Sequence, residues 1–334
     1  MHVRTNTLPC IVVGAGIAGL LAAQALGARG VPTVVLDKGR GVGGRMATRR
    51  MGEAVFDHGA QFFTVRDQRF GNLVDQWQAD GVVVAWARGF ADAAGGMARC
   101  RTPPRYRGID GMTAIAKHLA RKLDVRRNTR VTAIRWQEDG WAAHTESGDT
   151  VMGRALVLTP PVPQSLALLA AGGLALPADV RDALSAITYT PCIALLARLE
   201  GPSQVPEPGG LSLTANRSRG WPTTRAKGIS PHAPAITVHA GPAFSSAHWE
   251  AEDAQIARTL LAAAGRWIGH DVCSVHVQRW RYSRPAQTGD AACLVVSRPA
   301  PIVFAGDAFG GARVEGAALS GLAAADQVLE MQHG

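Results

Sequence analysis

Ile11-Val12-Val13-Gly14-Ala15-Gly16-Ile17-Ala18-Gly19, followed downstream by the apolar run Val34-Val35-Leu36 and then Asp37, is the stretch on which the fold turns. A buried-strand pattern runs into a Gly-x-Gly-x-x-Gly turn and a helical pattern reaching about Arg29. Gly30-Val31-Pro32 breaks the helix before a second strand. This is the order of a βαβ unit. In such a unit the glycines let a pyrophosphate approach the backbone at a helix N-terminus, and the acidic side chain accepts hydrogen bonds from a ribose. The pattern points to a dinucleotide and leaves NAD, NADP and FAD open.

At 334 residues the chain exceeds one typical core, and about 150 residues per domain gives about two domains. Hydrophobic residues at 47% and charged residues at 18% place it among ordinary globular proteins. Cys10, Cys100, Cys192, Cys273 and Cys293 are an odd, scattered set without a CxxC pair. They read as reduced thiols of a cytoplasmic protein, and no metal site is expected. The net charge of +9 is carried mainly by arginine, since Lys38, Lys117, Lys122 and Lys227 are the only lysines. Arginine forks suit phosphates, so a basic mouth for a dinucleotide substrate is one reading and plain compositional bias the other. The basic residues are dispersed, with no basic helix, zinc finger or RNP-like strand, so nucleic acid is not an expected partner. Ile11 to Leu26 is apolar but carries three fingerprint glycines and no cleavage site, which argues against a signal peptide. Pro160, Pro161, Pro163 and Pro177 interrupt the apolar stretch from Ala155 to Val180, so no membrane partner is expected either.

Further along, helical patterns are expected over Phe70 to Asp80, from Gly111 to Leu123, near 178–186 and 250–268, and from about Glu315 to Met331. Strands are expected over Val82 to Trp86, at Val125, from Val131 to Ile134, over Ala155 to Thr159, near 192–199 and 235–240, and from Pro301 to Ala305. Trp136 to Val151 reads as a small antiparallel meander turning at Asp139-Gly140, and Gly95-Gly96 as another turn. The expected division is a discontinuous nucleotide-binding domain from 1–69, 100–164 and 278–334, with a substrate domain from 70–99 and 165–277.

Three segments extend the opening signal. In Gly41-Val42-Gly43-Gly44-Arg45-Met46, glycine backbone can close on a cofactor and Arg45 can reach a pyrophosphate oxygen; a plain flexible loop is the other reading. In Asp57-His58-Gly59-Ala60-Gln61-Phe62-Phe63, the small Gly-Ala pair lets a flat ring lie against backbone, with Gln61 in its environment; the other reading is a bulged strand with two core phenylalanines. The third runs from Ala305-Gly306-Asp307 to Ser320-Gly321. A carboxylate at a strand end can hold ribityl hydroxyls, and free amides at the start of the last helix can stabilise charge developing on a reduced ring. Nicotinamide dehydrogenases need no such distal element, so it favours FAD.

These four blocks, GAGIAGL, VVLDKGRGVGGRM, FDHGAQFFTVRD and AGDAFGGARVEGAALSGLAAA, resemble the flavin amine oxidase superfamily, and within it the renalase-like FAD oxidoreductases of bacteria. The resemblance implies an α/β fold of the para-hydroxybenzoate hydroxylase type, with a Rossmann-type FAD domain and a second, α+β substrate domain. It implies noncovalent FAD, since no cysteine lies between Phe304 and Gly321. Carried over by motif, the implied cofactor contacts are Gly14, Ala15, Gly16, Ile17, Ala18, Gly19, Asp37, Lys38, Arg40, Gly44, Arg45 and Met46. Gly59, Ala60, Gln61, Phe62, Val131, Thr159 and Pro160 continue the set, which ends with Gly306, Asp307, Val314, Glu315, Gly316 and Ala317. The implied reaction oxidises 2- or 6-dihydro isomers of NAD(P)H, with O2 reduced to hydrogen peroxide.

Aromatising such a ring supplies the drive, so positioning does most of the work. Amine or amino-acid oxidation is the rival, weakened because no lysine stands out for a flavin-bound water: Lys227 lies in an irregular stretch. A flavin-binding protein without turnover is a third possibility. The candidate catalytic residues are Gln61 and His239, the latter able to hydrogen-bond a carboxamide or ribose or to be a satisfied core histidine. His248 is a weaker choice. Trp280 and Tyr282 suit either a pocket wall or packing, and Arg217, Arg219, Trp221 and Arg225 either an entrance for phosphates or solvated surface.

Overall fold

The computed structural model describes residues 8–92, 103–138, 140–212, 227–289 and 291–333; the Gly95-Gly96 turn, Cys100, Asp139 and the basic loop of Arg217, Arg219, Trp221 and Arg225 lie outside them. The chain forms two compact units, one of Met1–Gly44, Ala116–Thr188 and Pro285–Gly334, the other of Arg45–Ile115 and Tyr189–Arg284.

In the first unit a six-stranded sheet runs in the order Leu294–Val296, Ile302–Phe304, Ala155–Leu158, Cys10–Val13, Thr33–Leu36, Asp124–Arg126. All neighbours are parallel except the antiparallel edge strand Leu294–Val296. The central strands are continuous apolar runs, as strands covered on both faces must be. The chain steps outward from Cys10–Val13 to Thr33–Leu36 and Asp124–Arg126, then returns to the opposite side at Ala155–Leu158. The order therefore reverses beside Val13 and Leu158, which are in register. Open α/β sheets bind ligands at such a switch point.

Helix Ile17–Ala28 buries Ile17 through Ala23 and Leu26. The last helix, Val314–His333, lies against it so closely that a Cβ on Gly321 would sit 2.2 Å from the Ala18 carbonyl oxygen. The expected meander is the antiparallel sheet of Val131–Gln137, Gly140–Thr145 and Thr150–Gly153. Helix Val162–Ala171 was not read from the sequence, where its prolines look like interruptions. Pro161 is in fact its N-cap and Pro163 lies in the first turn, where a missing N–H leaves no helical bond unmade. A Cβ on Gly172 would lie 1.7 Å from the Ile134 carbonyl, and this close seat on the meander keeps 162–188 in the first unit.

The second unit is built on the sheet Ala235–His239, Tyr189–Leu199, Val272–Pro285. Helix Asp253–Ile268 lays Ile256, Ala257, Leu260, Ala264 and Ile268 on the core of Ile193, Leu195, Ala197, Ile236 and Val238. Helix Gln68–Ala79 begins where the Asp67 carboxylate accepts from the amides of Arg69 and Phe70, and it buries Phe70, Val74 and Trp77. The hairpin of Thr48–Met51 with Ala54–Asp57 and the antiparallel pair of Val83–Ala87 with Arg105–Gly108 complete the frame. The unit boundaries fall elsewhere than the division drawn from composition. Residues 45–69 group with the second unit, where Ala54 and Phe56 form a core with Leu196, Ala233 and Ala235. Among the described residues, no helix is long and apolar enough to cross a membrane.

Candidate functional site

In the first unit the fingerprint turn sits at the switch point, and its glycines are there for different reasons. Gly14 has φ +102°, and a Cβ there would come 2.5 Å from Thr159 Oγ1. A Cβ on Gly19 would lie 2.0 Å from the Gly14 carbonyl oxygen, so Gly19 is required for the turn to close on its helix. At Gly16 a Cβ would meet nothing within 4 Å among the described residues. Packing does not demand glycine there, and its absence of a side chain leaves the backbone open to an approaching anion. Gly16 is also the N-cap of helix Ile17–Ala28 without a side-chain cap, leaving first-turn amides for an anion.

Asp37 follows strand Thr33–Leu36 and accepts from the Ala15 amide at 2.6 Å and the Gly39 amide at 2.6 Å. The carboxylate is thereby fixed beside the turn, and an ionised carboxylate retains further acceptor positions for a ribose. The Gly43 amide donates to the Ala15 carbonyl at 2.8 Å, so the Gly41–Gly44 segment folds onto the first turn. Thr159 donates its Oγ1 to the Val13 carbonyl at 2.7 Å and fixes the far lip of the crevice, with Pro160 next to it. Lys38 and Arg40 are exposed, while Val131 is buried at the start of the meander.

The last strand ends at Phe304, and Gly306 turns with φ +133°, its amide donating to Ser320 Oγ at 2.8 Å. Gly310 and Gly316 face each other so tightly that a Cβ on either would lie within 2.2 Å of a backbone oxygen. This locks the turn that delivers the N-terminus of Val314–His333, with Val314, Glu315, Gly316 and Ala317 in its first turn. Asp307 and Glu315 are both buried.

The second unit contains a cluster that the sequence only partly disclosed. Asp57, fully buried at the end of its hairpin, is the hub. One carboxylate oxygen accepts from Thr48 Oγ1 at 2.6 Å and the Met112 amide at 2.8 Å, and the other from Lys227 Nζ. Its carbonyl accepts from Gln61 Nε2 and from Thr237 Oγ1. Lys227 is fully buried too, and burial pushes its ammonium below the ordinary lysine range while Asp57 holds it up.

The turn after Asp57 is pinned as well. The Ala60 amide donates to the Arg45 carbonyl at 2.8 Å, and a Cβ on Gly59 would lie 2.0 Å from that oxygen. The His58 carbonyl accepts from Trp280 Nε1 at 2.8 Å and from His239 Nε2 at 3.2 Å, so His239 carries its proton on Nε2. The His58 ring stacks on Trp280 at 5.3 Å, and burial above all lowers its pKa to about 4.

Gln61, His239 and Trp280 thus come together around one turn. Arg45 donates to the carbonyls of Tyr282 and Ser283, engaging part of its fork within the protein. Met46 is buried, and Phe62 packs on Trp86 and Phe90. His248 bonds the Phe244 carbonyl on its own helix. Asp57 and Thr48 are the members that sequence reasoning missed, while Lys227 was weighed and set aside as part of an irregular stretch. The buried Asp at the head of the Asp-His-Gly-Ala-Gln block was the available signal; no local pattern ties residue 227 to residue 57.

Residues 88–329 match a family described as flavin containing amine oxidoreductase, and residues 12–77 match an NAD(P)-binding Rossmann-like domain. Among solved structures, wild-type putrescine oxidase bound to putrescine is similar with a TM-score of 0.72 at 15% identity, over 97% of this chain and 99% of that one. A CLA-producing fatty acid isomerase from P. acnes is similar with a TM-score of 0.70 at 13% identity, over 98% of this chain and 99% of that one. An oxidase and an isomerase on one frame show that the fold alone does not choose the reaction.

Proposed function

Since the chain belongs to the flavin-containing amine oxidoreductase family and is an FAD-dependent oxidoreductase, we propose that it is a renalase-like oxidase of 2- or 6-dihydro isomers of NAD(P)H, with O2 as the final acceptor. When bound, FAD would supply the two-electron acceptor for the hydride of the dihydropyridine carbon, with NAD(P)+ as product and O2, reduced to hydrogen peroxide, as the final acceptor.

In this reading Gly14, Gly16 and the first-turn amides of Ile17–Ala28 hold the pyrophosphate, and Asp37 accepts from the adenosine ribose. Asp307 accepts from the ribityl chain, and the first-turn amides of Val314–His333 stabilise negative charge on the reduced ring. The Gly59–Ala60–Gln61 turn presents its backbone to the ring, and the Gln61 amide, bonded to Lys227 and the Asp57 carbonyl, holds that turn in place. The cofactor is held without a covalent bond.

The observation that carries the substrate assignment is the state of the Asp57 cluster. Lys227 is bonded to Asp57, Gln61 is bonded at both ends of its amide, and His239 holds the His58 carbonyl. These side chains are committed to positioning, which suits a substrate whose hydride leaves by aromatisation without proton removal by the enzyme. Amine oxidation is the second reading, favoured by the family match and by a buried lysine of lowered pKa.

Anaerobic mixing separates the two. NADH equilibrated to contain its dihydro isomers is expected to bleach the flavin absorbance in a single turnover, with peroxide formed on admitting air. Bleaching by amines alone would establish the second reading, and bleaching by neither would remove both.

A further inference from the structure

We propose that Lys227 is a positioning residue whose ammonium group, neutralised by Asp57, sets the amide orientation of Gln61 and through it the shape of the Gly59–Ala60–Gln61 turn. This rests on the reading that the turn lies against FAD.

The chain has four lysines; Lys38, Lys117 and Lys122 are exposed, and Lys227 alone is buried. A lysine out of water is costly unless its donors are used. The Lys227 ammonium donates to Asp57 Oδ2 and, at 3.4 Å, to Gln61 Oε1, and it stands 5.3 Å from the Trp86 ring centre. An ammonium can only donate, so the Gln61 oxygen must face it. The Gln61 nitrogen then faces two groups that can only accept, the carbonyls of Asp57 and, at 3.4 Å, Gly59. Flipping the amide would set NH2 against NH3+ and oxygen against two carbonyls.

The side chain therefore closes the turn from below while the Ala60 amide, bonded to the Arg45 carbonyl, closes it from the side. Gly59 has no room for a Cβ to relax this arrangement. Asp57 is held in turn by Thr48 and the Met112 amide, so the charge that cancels Lys227 is itself immobile. A lysine serving only to staple elements together would have no need of the Gln61 contact.

The test compares Lys227→Met, Lys227→Arg, Gln61→Leu and the Lys227→Met/Gln61→Leu double variant as FAD-loaded enzymes. The readouts are melting temperature and the visible circular dichroism of the bound flavin, recorded well below every melt. Lys227→Met and Gln61→Leu are each expected to change the flavin spectrum, and Lys227→Arg to restore it at least in part, since its donors remain. The double variant is expected to match Gln61→Leu, because without the amide Lys227 has nothing to orient.

If Lys227→Met does not fold, Asp57→Asn/Lys227→Met takes its place in the comparison, with no unpaired buried charge and with an oxygen still facing Thr48 and Met112. Spectral effects that add in the double variant, or an unchanged spectrum without Lys227 while Gln61→Leu changes it, would overturn the proposal. An unchanged spectrum in Gln61→Leu with FAD still bound would instead overturn the placement of the turn against FAD, and the inference with it.

Discussion

Gly16→Ala and Gly19→Ala lie three residues apart in the same motif, and the structure assigns them opposite consequences. Gly16 has φ −77° and ψ 177°, open to alanine, and its new methyl would touch nothing within 4 Å among the described residues. Alanine is a poorer N-cap than glycine by about 0.5 kcal/mol, while loss of unfolded-state freedom returns about 0.4–1 kcal/mol, so stability without cofactor should be nearly unchanged. The same methyl stands where a pyrophosphate must approach, and FAD affinity should fall at least about tenfold, or about 1.4 kcal/mol.

At Gly19 the methyl would lie 2.0 Å from the Gly14 carbonyl oxygen and 3.1 Å from Val12 Cγ1. Neither neighbour is the free end of a flexible side chain, so overpacking of about 1–3 kcal/mol is expected, at about 2–4 °C of melting temperature per kcal/mol. Thermal melts with and without FAD, joined to a fluorescence titration, read both quantities. For the native chain, FAD at a hundred times its Kd should add about 2.7 kcal/mol, and Gly16→Ala should lose about half of that gain at equal FAD. A Gly16→Ala protein that binds FAD as tightly as the native chain would refute the placement of the pyrophosphate. A Gly19→Ala protein that melts unchanged would refute the packing argument.

The His58 ring carries a pH dependence. Its pKa is lowered from 6.5 to about 4, chiefly by burial, with Arg49 and His276 opposing a proton and Asp57 favouring one. The unfolded chain takes up that proton first, so stability is fully present above about pH 6.5. It falls by up to about 1.4 kcal/mol per pH unit as the pH drops toward 4. His58→Phe, which preserves a ring against Trp280, should flatten that slope in denaturant melts from pH 7 to 4; an equal slope in both proteins would remove His58 as its source. Gly321→Val drives a side chain into the Ala18 carbonyl, 2.2 Å from the nearest Cβ position. It should lower both melting temperature and FAD affinity, since the two helices it separates each begin at a proposed cofactor contact; loss of stability without loss of affinity would break that link.

What the sequence revealed and what it hid follow from the range of the interactions. The four central strands of the switch-point sheet were legible as short apolar runs beside Gly or Pro, and the glycine fingerprint specifies its own turn; of the edges, Asp124–Arg126 showed only Val125, and Leu294–Val296 gave no signal that was read. Helix Val162–Ala171 was hidden because Pro161 and Pro163 read as breakers, although proline at a helix start leaves no intrahelical bond unmade. The strand Val272–Pro285 alternates burial only loosely, which left no clean period to detect. At the site, Gln61, His239 and Trp280 were named one by one from their segments. Their meeting at the His58 turn, and the pairing of Asp57 with Lys227 across 170 positions of sequence, is a product of tertiary folding that no local spacing encodes.

The account stands most directly on cofactor stoichiometry, because the turn at Gly14–Gly19 and the turn at Gly306–Gly316 are assigned to a single FAD. Titration of the purified chain with FAD, followed by denaturation and separation of flavin from polypeptide, is expected to give one equivalent bound per chain and all of it released intact. Protein that stays colourless in excess FAD, or that keeps flavin attached after denaturation, would contradict it.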